Sequence, residues 1–176
     1  IIINASNKTS EWCHWSRTFG LGGGIVVIPL AGQSRFPNHY VMYGPGPVIN
    51  YRPVDASIRV RDGFLEITGP PERAKLGMDS RAGWFSYVSK NDLMWVKRYP
   101  VYPERVYNEM AGLTISIWYN KEEMTELEPI GPRELLAPGE SSSFTEDWWL
   151  LPYDYPAESQ SVDLEAVAAI VDQQAR

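Results

Sequence analysis

Short runs of apolar, aromatic and β-branched residues recur along residues 1–155, roughly every 8–12 positions, and Gly, Pro, Asn or Asp interrupts them. This punctuated rhythm is the strongest constraint on the fold. It predicts about ten to twelve short strands in an antiparallel β-sandwich. Residues 113–120 show the alternation most plainly. Leu113, Ile115, Ile117 and Tyr119 fall on one face, and Thr114, Ser116 and Trp118 on the other. Residues 56–68 read as a hairpin, with Asp62-Gly63 supplying the primed turn. Residues 84–89 and 93–101 read as a second hairpin with its tip near Asn91. The segment 69–83, rich in Gly, Pro and charge, reads as a loop. An aromatic content of 12%, with seven Trp and ten Tyr, suits half-buried pleated surfaces.

The pattern changes near residue 156. The Ala-rich end places apolar residues at 162, 164, 167, 168, 170 and 171, which predicts one helix. Ser161 is the expected N-cap and Asp163 falls in the first turn. The expected organisation is a β-sandwich over 1–155 and a linker plus helix over 156–176, the helix packing on a sheet face.

The net charge of −6, with no basic stripe, argues against a nucleic-acid partner. No apolar run approaches the ~20 residues of a membrane helix. Cys13 is the only cysteine, so no intrachain disulfide forms. Two His and one Cys without clustered carboxylates give no metal site to argue for, and no cofactor motif is present.

One stretch does not fit a plain structural strand. Residues 125–140, Thr-Glu-Leu-Glu-Pro-Ile-Gly-Pro-Arg-Glu-Leu-Leu-Ala-Pro-Gly-Glu, read as a strand, a turn and the start of another strand. Glu126 and Glu128 share a face by the period of two, about 7 Å apart. Two dry carboxylates at that distance repel. Either the face is wet, or a cation such as Arg17, Lys97 or Arg98 lies between them. Glycosidases also use two carboxylates, but from opposite sides of the substrate, which one strand does not provide.

The same stretch carries a resemblance. Leu127-Glu128-Pro129 followed by Leu136-Ala137-Pro138-Gly139-Glu140 resembles the C-terminal end of the aldose 1-epimerase (galactose mutarotase-like) superfamily. Gly83-Trp84 with Tyr87, Val96-Lys97-Arg98-Tyr99, and Glu126-Leu127-Glu128 with Gly131-Pro132 resemble an uncharacterised branch of it. The resemblance covers most of residues 1–151. It implies a galactose mutarotase-like supersandwich, incomplete because an N-terminal sheet is unaccounted for. Missing strands or a second copy of the chain would complete it, which leaves a homo-oligomer open. It also implies a carbohydrate ligand and interconversion of aldose anomers by acid/base ring opening.

In that chemistry a base takes the anomeric hydroxyl proton and an acid protonates the ring oxygen. The resemblance gives Glu128 as base and His14 as acid, although His14 precedes Trp15-Ser16 where mutarotases carry Tyr-Phe. His39 is the only other histidine. Sugars offer apolar C–H faces and hydroxyl rims, which aromatic platforms and charged groups recognise. Trp15, Arg17, Trp84, Lys97, Tyr107, Glu109, Trp118 and Glu126 are the binding candidates, with Lys97 preferred over Arg98 by the resemblance. The competing reading makes most of these aromatics core and the glutamate a rim carboxylate in an ion pair. It corresponds to a carbohydrate-binding or structural sandwich without turnover.

Overall fold

The computed structural model describes residues 1–110, 112–120, 123–158 and 160–174. Along these the order is β1 (Ile2–Ile3), β2 (Ser10–Trp15), β3 (Thr18–Leu21), β4 (Ile25–Pro29), β5 (Val41–Tyr43), β6 (Ile49–Asn50), β7 (Ile58–Arg61) and β8 (Phe64–Ile67). It continues with β9 (Lys75–Met78), β10 (Trp84–Ser89), β11 (Leu93–Arg98), β12 (Ile115–Asn120), β13 (Met124–Leu136), β14 (Ser141–Ser142), β15 (Asp147–Pro152) and α1 (Leu164–Gln174). The fold is mostly β, with three antiparallel sheets and a C-terminal helix.

Two large sheets form the sandwich. One runs β15-β11-β10-β4-β8-β7. The other runs β2-β13-β12-β9-β5-β6, with β3 also on β13. A two-stranded ribbon joins β1 to β14. The alternation read in residues 113–120 fills the space between the large sheets: Ile115, Ile117 and Tyr119 meet Leu76, Met78, Leu127, Phe85 and Tyr87 there. The opposite face of the six-stranded sheet receives α1, where Leu164, Val167 and Val171 cover Val27, Val88 and Val96. Each such buried side chain contributes about 1.5–3 kcal/mol. The predicted hairpin turn is present, with φ of 49° at Asp62 and 79° at Gly63.

Four sequence expectations change. The 69–83 segment contains β9, whose short Lys-Leu-Gly-Met alternation is flanked by turn residues that dominate the pattern. Residues 13–21, whose aromatic and small residues follow a strand-like pattern in the sequence, divide into β2 and β3 at Ser16-Arg17. The N-cap is Asp163 rather than Ser161: its Oδ1 accepts the Ala166 N–H at 2.9 Å, and α1 begins two residues later than expected. Ser159 of the expected linker and Ala175 and Arg176 of the expected helix lie outside the described residues.

The fourth change shapes the site. Residues 124–136 form one strand instead of two, running through Pro129 and Pro132. Proline cannot donate to a ladder and is tolerated where pairing breaks. Here the breaks coincide with a change of partner. The first half of β13 pairs β3 as far as Leu127, the second half pairs β2 from Ile130, and the register shifts between Ile130 and Arg133. A Cβ on Gly131 would press on Phe144 and His14 at 3.1–3.2 Å, so a side chain at this bend would have to move them by a few tenths of an ångström.

Candidate functional site

Strand register puts the acid pair on the outer face of the seven-stranded sheet. Leu127 points into the sandwich, so Glu126 and Glu128 point away from it. One row across this face reads Lys75, Trp118, Glu126, Phe19, and the next reads Gly77, Ser116, Glu128. Glu126 thus lies between two aromatic side chains from neighbouring strands. Space above Gly77 is taken by the Leu113 side chain.

Glu128 is fully buried. Its Oε2 accepts the Lys75 ammonium at 2.5 Å and the Trp15 indole N–H at 2.7 Å. Lys75 also stands 5.1 Å from the centre of the Trp15 ring, a cation–π contact that fixes both donors. Arg17 reaches over the pair, with its Nε 3.4 Å from Glu126 and 3.5 Å from Glu128. The cation expected between the acids is therefore Arg17. Lys75, inside the segment read as a loop, is a second and closer one.

The two carboxyls are driven apart in proton affinity. Burial, and then the hydrogen bond and charge of Glu128, push Glu126 up to about 7, against the opposing pull of Arg17 and Lys75. Burial works to raise Glu128 as well, but hydrogen bonds from Glu126, Lys75 and Trp15 and the Lys75 charge hold it below the usual carboxylate range. One geometric detail agrees. Oε1 of Glu128 is buried and accepts no hydrogen bond from any protein N–H or hydroxyl among the described residues. A proton carried by Glu126 supplies the missing donor. Environments that separate two neighbouring carboxyls in this way are what an acid and a base require, and structural ion pairs also produce them.

Of the residues expected from sequence, the structure gathers Glu126, Glu128, Trp15, Arg17 and Trp118 on this face. Glu109 stands at its margin, where the Tyr43 hydroxyl donates to it at 3.2 Å. Burial first, then Glu109, pushes the Tyr43 phenol far up. His14 is not brought to Glu128. It precedes Trp15 on β2 and so faces the other way, stacked on Phe144 at 5.7 Å, and Phe144 packs against the inter-sheet core. Burial pushes its imidazole pKa down. Trp84 lies on the helix side, against Phe64. The Tyr107 hydroxyl accepts the Tyr102 N–H in a turn. Lys97 is fully buried between the sheets. His39 occupies a turn with a φ of 67°.

Phe19, Lys75 and Tyr43 join the face without having been singled out in the sequence. The period of two around Lys75 and Gly77 was the available signal for Lys75; Phe19 and Tyr43 become neighbours only through register. Among the described residues no group of three or more His, Cys, Asp or Glu is placed to hold a metal ion, and no helix is long and apolar enough to cross a membrane. No protein family matches the chain, and no curated protein or solved structure matches it significantly.

Proposed function

We propose that the outer face of the seven-stranded sheet is a carbohydrate site of the mutarotase type, with Glu128 as base and Glu126 as acid. The observation that carries the reading is the acid pair itself: a buried carboxylate whose Oε1 faces the Arg17 Nε at 3.5 Å and a neighbouring carboxyl that holds its proton near neutral pH. In an aldose ring the anomeric hydroxyl oxygen and the ring oxygen are both bonded to C1. Adjacent carboxyls suit two adjacent oxygens, whereas a glycosidase needs its carboxyls on opposite sides of the bond.

The steps balance. Glu128 takes the anomeric hydroxyl proton, and those electrons form the carbonyl. The bond from C1 to the ring oxygen breaks, and the ring oxygen takes the proton of Glu126. The C1–C2 bond rotates, and the reverse transfers close the other anomer. Trp15, Trp118 and Phe19 offer apolar platforms, and the half-exposed Arg17 is the group a sugar displaces from above the pair. In this reading Glu126 takes the role that the resemblance gave to His14.

A second reading, sugar binding without turnover, is favoured by one observation. Lys75 and Trp15 already saturate Oε2 of Glu128, which weakens it as a base. Polarimetry on freshly dissolved α-glucose and α-galactose separates the two, alongside ligand-observed NMR with the same sugars. Accelerated anomer exchange that Glu128→Gln abolishes supports the enzyme. Binding without acceleration supports the second reading, and neither binding nor acceleration of either aldose overturns both.

A further inference from the structure

Lys97 is buried completely between the two sheets, yet three of its contacts lead to the back of the acid-pair site. Its ammonium donates to the Leu127 carbonyl at 3.0 Å, and Leu127 is the residue between Glu126 and Glu128. It donates to Thr18 Oγ1 at 2.7 Å, next in sequence to Arg17. It pairs with Glu146 Oε2 at 2.9 Å. The other oxygen of Glu146 takes the hydroxyl of Ser16, which lies between Trp15 and Arg17. Trp148 closes the cluster, its indole donating to Glu146 at 2.9 Å and its ring 4.8 Å from the Lys97 ammonium.

We infer that Lys97 and Glu146 are positioning residues for the acid pair, pinning from inside the sandwich the two segments whose outer faces carry Trp15, Arg17, Glu126 and Glu128. The edge where the two segments meet is where such a tie acts. Residues 16 and 17 interrupt the strand pairing between β2 and β3, and β13 changes partner directly after Leu127. On this edge of β13 no continuous ladder holds the register, whereas its other edge pairs β12 unbroken from Met124 to Pro129. A buried charge is costly unless paired and hydrogen-bonded, and here the hydrogen-bond and ion-pair partners named for the lysine belong to these segments or to the 143–146 connection. Lys97 is thereby moved from the sugar-contacting role that the resemblance implied to one acting through the sheet.

The inference rests on the acid pair being the functional site, but its test needs no sugar. Glu126 is faced by Glu128, Arg17 and Lys75, and Glu128 also by Trp15 and, through the sheet, by Lys97. Carbon-13 NMR of the two side-chain carboxyls follows both titrations in wild type, in Ser16→Ala/Thr18→Val, and in Lys97→Met/Glu146→Gln. The first variant cuts the ties to 16–18 and keeps the ion pair; the second removes the charges together and strands neither. Positioning predicts that the two midpoints draw closer, with Glu126 falling by about one pH unit. Loss of the Lys97 charge by itself raises Glu128, so Ser16→Ala/Thr18→Val, which keeps that charge, decides. Midpoints unchanged from wild type in the folded variants mean a purely structural pair and overturn the inference. Closer midpoints in a protein that never acts on a sugar leave the positioning intact and remove only the carbohydrate reading.

Discussion

Glu66 and Glu128 are both completely buried, one on the outer face of each large sheet, and they are held in opposite ways. Glu66 is saturated. Arg59 and Arg61 each grip it with two donors, four hydrogen bonds of 2.6–3.2 Å spread over both oxygens. Arg61 also donates to the Val162 carbonyl at 2.6 Å, tying the start of the helical segment to β7. Glu128 has Lys75 and the Trp15 indole on Oε2, while Oε1 meets the half-exposed Arg17 only at 3.5 Å and has an acid neighbour beside it. The first is a closed structural joint between sheet and helix. The second keeps capacity for another hydrogen bond, which is what distinguishes a site from a brace.

The largest expected effect breaks the comparison on the Glu128 side. Under the catalytic reading, Glu128→Gln lowers the anomer exchange rate by roughly 100- to 10,000-fold, the usual worth of a general base, measured by polarimetry. Glu66→Gln does the converse. It leaves exchange unchanged and costs about 3 kcal/mol in a urea titration, a figure already reduced because both arginines reach solvent. If Glu66→Gln instead slowed exchange, the two buried acids would not be functionally distinct.

A smaller effect sharpens the contrast through pH. Glu126 is raised to about 7 from a model-peptide 4.5, so between those values the folded state holds a proton that the unfolded state has lost. Stability therefore falls as pH rises from about 4.5 to 7, by about 2 kcal/mol once the exposed Arg17 is allowed for. Glu128, held low, works in the other direction and withdraws stability only as pH drops below 4.5. Urea midpoints from pH 4.5 to 8 should decline in wild type, and Glu126→Gln should remove that decline and leave only the rise that the lowered His14 imidazole gives below its free value. A decline that survives Glu126→Gln assigns the slope elsewhere.

Much of the sandwich was legible because its signals are local. The alternation in 113–120, the Asp62-Gly63 turn and the Ala-rich end each fix an element without help from the rest of the chain. β9 was hidden because four residues among Gly, Pro and charge give too short a period to read. The continuity of β13 through Pro129 and Pro132 depends on which strands flank it, and that is not written in β13 itself. The acid pair followed from the period of two, and Arg17 was one of three cations offered to separate it. Which partners join the pair depends on side-chain direction. Trp15 and His14 are neighbours in sequence, and the pleat sends one to Glu128 and the other to Phe144.

The separation of the two carboxyls is the central claim, and the carbon-13 NMR titration of wild-type Glu126 and Glu128 tests it directly. The structure predicts one midpoint close to 7 for Glu126 and one below the ordinary carboxylate range for Glu128. Two midpoints together near 4.5 would show an acid pair no different from a solvated surface, and would contradict the account.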